Sequence, residues 1–129
     1  MNTILVEVSV GELLDKISIL EIKKEKIKDS EKLKFINDEY EVLKDQLDKN
    51  VKSDEKIDKL FQSLKEINSK LWFIEDDKRL CEKNSDFSEK FIKLSRDVHF
   101  LNDNRAKIKL EINHHTGSKI KEIKKYTSY

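Results

Sequence analysis

Glu75, Arg79 and Arg105 stand where helical stripes ought to be apolar, and their side chains are the ones here best suited to chemistry. On the third amphipathic segment the inward rhythm runs through Asn68, Trp72, Glu75 and Arg79, with Asp76 beside it. At ~100° per residue, only positions spaced by three and four stay on one side of a helix. The fourth segment repeats the pattern. Leu94, Val98, Leu101, Arg105, Ile108 and Ile112 form a row, and Asn102 and Lys109 flank its guanidinium. Of 27 basic residues, only Arg79, Arg96 and Arg105 are arginine. A planar guanidinium grips a carboxylate or phosphate with two parallel hydrogen bonds, which lysine does not do. Arg79 can reach back one turn to Glu75. Arg105 needs a carboxylate from another helix, and Glu21, at a core-facing angle of the first segment, is the best placed.

Two functions fit such a line of charges. In-line polar residues often set the register of helix pairs, which makes the protein a non-enzymatic helical interaction or scaffold protein. Alternatively, Asn68, Trp72, Glu75, Asp76, Arg79, Asn102, Arg105, Lys109 and Glu21 line a site for a small anionic ligand, sugar- or nucleotide-phosphate-like, bound or turned over. Other chemistry falls short. His114 and His115 diverge by ~100° on a helix, and His99 and Cys81 are distant, so neither a metal site nor a cofactor is predicted. Glu12 and Asp15 are three apart, as acids are in helical magnesium-dependent nucleotide pyrophosphohydrolases. The adjacent glutamates of those enzymes are missing, and Asp15 reads as outward-facing. No catalytic residue is assigned.

These residues need long helices to position them, and the composition supplies such helices. Charged residues make up 41% of the 129-residue chain, proline is absent and glycine occurs twice. A short extended lead-in is read over 5–10, and Ser9 stands three residues before Glu12, the spacing of a capping box. The first helix is predicted to run to about Lys28. Asp29 or Ser30 caps the second, Ser53 with Asp54 and Glu55 opens a third over 54–82, and Asp86 with Glu89 opens a fourth that ends before Gly117. The short connections predict an all-α antiparallel bundle of about four helices, a single domain over 1–129 with a long helix 3–helix 4 hairpin and a basic C-terminal tail.

The net charge of +1 gives no field to recruit nucleic acid. No segment reads as a membrane span or signal peptide, and the lone Cys81 suits a reducing compartment, so a cytoplasmic protein is expected. Ile19, Ile22, Phe73, Leu80, Ile92 and Leu110 form a second apolar stripe facing away from the main seam, which predicts a homodimer. An unidentified protein partner is the other use for that stripe.

Three stretches, "VEVSVGELLDKISILEIKKEKI", "INSKLWFIEDDKR" and "VHFLNDNRAKIKLEINHHTGS", carry a family likeness. The chain resembles an uncharacterised family of small all-helical bacterial and phage proteins, a domain of unknown function. The resemblance rests on Ser9, Gly11, Glu12 and Leu13, on Leu71, Trp72, Glu75 and Asp76, and on Asn102, Asp103, Arg105 and Ala106. It implies an all-helical fold over nearly the whole chain and assigns no activity. In the tail, Ile123 replaces an acid of the family pattern.

Overall fold

The computed structural model describes residues 2–128; Met1 and Tyr129 lie outside them. Four helices follow in order: α1 (Val10–Lys26), α2 (Ser30–Asn50), α3 (Glu55–Lys83) and α4 (Glu89–Thr116). No strand occurs among the described residues, and the lead-in and the tail are neither helical nor sheet. The chain is all-α, as its periodicity requires.

Local chemistry fixes the helix ends. The Ser9 hydroxyl accepts the N–H of Glu12, and Asp54 accepts that of Ile57, each satisfying a donor the first turn cannot. Helix α1 stops two residues before Lys28. Asp29 takes the N–H groups of Glu31 and Lys32 to start α2, so the chain must already be extended at Ile27. Helix α4 begins at Glu89, later than a capping box at Asp86 would place it. Ser85 turns into the left-handed region with φ 53°, and Asp86 spends its carboxylate on the N–H of Ser88. Phe87 is left outside the helix and meets Phe91 edge-on, with centroids 5.5 Å apart. Gly117 closes α4 with φ 67°, the left-handed cap that a side chain would strain.

Helix α1 lies at the centre: it packs against each of the other three helices, and α3 packs against α4. The core joins Leu14 of α1, Ile57 and Leu64 of α3 and Ile112 of α4, with Leu47 and Val51 closing it at the end of α2. Helix α2 buries no residue fully and reaches the rest of the bundle across α1. Helices α3 and α4, 29 and 28 residues long, outrun the 17-residue α1. At ~1.5 Å per residue the difference is ~16 Å or more. The Lys26 ammonium, at the end of α1, sits 4.6 Å from the Phe73 ring centre. Beyond that point α3 and α4 have only each other, and their far ends project as a hairpin. No helix among the described residues is long and apolar enough to cross a membrane.

Candidate functional site

A second buried seam on α1 builds the site. Gly11, Asp15, Ser18 and Ile22 step by four, three and four, and all are buried. The expectation that Asp15 faces outward is therefore wrong: it is 1% exposed. The apolar seam through Leu14 and Ile17 conceals this second row, whose first three members are small or polar where they face α3 and α4 at close range. Gly11 marks the nearest approach. A Cβ there would lie 2.5 Å from the Lys109 carbonyl oxygen, and its N–H donates to Asn113 Oδ1 at 2.7 Å. Ile22, assigned by angle to an outer stripe, belongs to this buried row instead.

Asp15 is the hub of a three-helix network. Its Oδ1 accepts from Asn68 Nδ2 of α3 at 2.9 Å and from Arg105 Nε of α4 at 2.9 Å. Its Oδ2 takes Nη2 of the same guanidinium, so the pair is two-pronged. Asn68 Nδ2 also donates to the Ser18 hydroxyl at 2.8 Å, and Ser18 donates to the Asp15 carbonyl at 2.7 Å. The hydrogen bonds to Asp15 raise the Arg105 pKa further above its ordinary value, against the opposing pull of burial. Glu21 is not the partner of Arg105. It lies on the other side of α1, accepting from Tyr40 at 3.4 Å and pairing with Lys65 at 3.1 Å. No buried side-chain nitrogen or oxygen among the described residues lacks a hydrogen-bond partner.

Beside this network opens a cleft of about 420 Å³, within the range of small-molecule sites. Ile19, Ile22 and Leu71 give it an apolar floor, and Asn68, Trp72, Glu75, Asp76, Arg79, Asn102 and Arg105 complete its walls. Seven of the nine residues singled out by helical angle thus meet in one place. Their burial differs from expectation, however. Glu75, Asp76 and Arg79 are exposed, because α1 has ended and no third helix covers this length of α3. Arg79 does not pair with Glu75. Among the described residues these three side chains engage no other by hydrogen bond or ion pair.

Lys109 faces a separate recess of about 150 Å³, which shares Asn102 and Arg105 with the cleft and is closed by Glu122, Lys124 and Tyr126 of the tail. Its ammonium lies between Glu12 at 2.6 Å and Glu122 at 3.2 Å. His115 pairs with Asp54 at 2.7 Å, tying the end of α4 to the start of α3. Among the described residues, no three His, Cys, Asp or Glu side chains come together in a group able to hold a metal ion.

The model of one protein family, a family of unknown function (DUF6165), matches residues 4–129. The chain belongs to this family. No curated protein and no solved structure shows significant similarity to it. Family membership is consistent with the likeness carried by the Ser9–Leu13, Leu71–Asp76 and Asn102–Ala106 stretches, and it brings no activity with it.

Proposed function

We propose that the protein is a small binding module whose ligand enters the cleft between α1, α3 and α4. One observation carries this reading: the in-line polar residues divide into two sets. Asp15, Ser18, Asn68 and Arg105 satisfy one another and fix the helices. Trp72, Glu75, Asp76 and Arg79 surround open space with their polar groups unspent. What supports binding is their convergence: exposed charged groups beside a tryptophan over an apolar floor are the makings of a small-molecule cleft.

The charges indicate what fits. Asp15 neutralises Arg105, so the rim presents two carboxylates against the single free guanidinium of Arg79. Bulk anionic attraction is therefore weak. A sugar-like molecule suits the cleft better, with hydroxyl donors for Glu75 and Asp76 and a C–H face for Trp72. A phosphate on such a ligand would fall to Arg79. Trp72 is the only tryptophan, so its fluorescence reports the cleft directly. Titration with methyl glycosides should give a saturable change that Glu75→Gln and Arg79→Met each weaken without altering the melting temperature. An emission unaffected by every glycoside, together with lowered stability in both variants, would return these residues to a structural role.

A second reading has its own support. Phe73, Leu80 and Ile92 are each more than half exposed along the α3–α4 hairpin. We infer that this face mediates the interaction or scaffold role, in the simplest case by joining two copies as a homodimer. Light scattering should then give twice the chain mass, falling to the monomer in a Leu80→Lys, Ile92→Glu variant; a monomeric parent protein would refute it.

A further inference from the structure

We propose that the recess between α4 and the C-terminal tail is a binding position for a compact oxyanion, a carboxylate or phosphate group of a ligand, and that the chain's own Glu122 occupies it. The Glu122 carboxylate contacts two ammonium groups, Lys109 at 3.2 Å and Lys124 at 2.5 Å. Arg105 and the amide of Asn102 line the same recess. Charge accounting separates this carboxylate from its neighbours. Asp15 already offsets Arg105 and Glu12 already offsets Lys109, which leaves Lys124 to Glu122. With the Glu122 side chain alone turned out to solvent and Lys124 in place, three cations would face the recess against two carboxylates. An external oxyanion restores the balance by taking the same place.

The occupant is built to leave. Glu122 is 41% exposed, whereas Lys109 beneath it is 12% exposed and held by α4 and Glu12. Ser118 fixes only the root of the tail, its hydroxyl accepting the N–H of Val10 at 3.3 Å. Both lysines hold the Glu122 pKa below the ordinary carboxylate value, the Lys124 hydrogen bond most of all, so the carboxylate stays charged and competes at neutral pH. Exposed ion pairs shift an equilibrium by about 1.4- to 5-fold. Removing this competitor should therefore strengthen oxyanion binding about two- to sixfold.

The inference stands apart from the cleft reading, because its probe need not touch Trp72. Inorganic phosphate and, separately, acetate are titrated at constant ionic strength into the full chain, its Glu122→Gln variant and its Lys124→Met variant. Nitrogen–proton spectra follow the backbone amides of Ala106 and Lys109, which line the recess and not the cleft. Saturable shifts confined to this recess, about two- to sixfold tighter in Glu122→Gln and weakened in Lys124→Met, are expected for at least one anion. The tighter of the two identifies the group the position takes. Equal affinity in the parent and Glu122→Gln, or shifts spread over surface lysines generally, would overturn the proposal.

Discussion

Replacing Arg105 by methionine tests the hub of the network. The substitution keeps most of the packing volume and removes the guanidinium that grips both oxygens of Asp15. Asp15 is 1% exposed, so its carboxylate would be left with Asn68 as its one side-chain donor. Breaking a buried ion pair from one side costs about 3–5 kcal/mol. The Arg105 side chain is itself 29% exposed, so water can reach the vacated edge and relieve part of that loss. A destabilisation of about 2–4 kcal/mol follows, against a total stability of roughly 6–19 kcal/mol for a chain of this length. Equilibrium urea unfolding at neutral pH measures it, with the slope unchanged if the native fold persists. Combining Arg105→Met with Asp15→Asn removes the stranded charge, so the double variant should lose about 1–2 kcal/mol less than the two single losses added. A loss below about 0.5 kcal/mol in Arg105→Met, or simple additivity, would show that the pair does not hold the three helices together.

Gly11→Ala gains about 1 kcal/mol of helix propensity but drives a methyl against the Lys109 carbonyl, 2.5 Å away. Overpacking against backbone costs about 1–3 kcal/mol, so the melting temperature should fall, and a rise would contradict the close α1–α4 approach. The Lys65 pKa is raised, first by its hydrogen bond to Glu25 and further by Glu21. Its contribution is therefore complete below the ordinary lysine value of 10.5 and is lost as pH rises through the higher folded value. Stability measured across that alkaline range should decline less steeply in Lys65→Met than in the parent; parallel curves would refute the link. Gly117→Ala places a side chain at φ 67° and should cost about 1–2 kcal/mol by urea unfolding.

Much of this architecture is legible in the sequence. The caps at Ser9, Asp29 and Gly117 stand where polar and glycine residues interrupt the apolar rhythm, because that rhythm and those breaks are local properties. Helical angle also brought Asn68, Trp72, Glu75, Asp76, Arg79, Asn102 and Arg105 to one site. The failures are non-local. Asp15 was misplaced because α1 is covered on two sides, and a reading that follows the apolar side alone counts the polar side as surface. The spacing of Gly11, Asp15, Ser18 and Ile22 was a sufficient signal, had small and polar residues been allowed to define a seam. The inward turn expected of Glu75 and Arg79 does not hold: both are exposed, because burial depends on how far α1 extends beside α3. The engagement of the tail with Lys109 has no periodic signature at all.

The bonds that seat α1 come from the opposite end of the chain. Gly11 is tied to Asn113, Val10 to Ser118 and Asp15 to Arg105, across separations of 102, 108 and 90 residues. During synthesis the first helix thus emerges well before the partners of its polar seam exist. Until α4 leaves the ribosome, Asp15 has only Asn68 of α3 to meet it and the glycine groove has no cover, so the central member of the bundle is locked late. Contacts this distant in sequence slow folding relative to other helical proteins of similar size. Loss of the final 25 residues, which carry Arg105, Asn113 and Ser118, would undo the beginning of the fold as surely as its end.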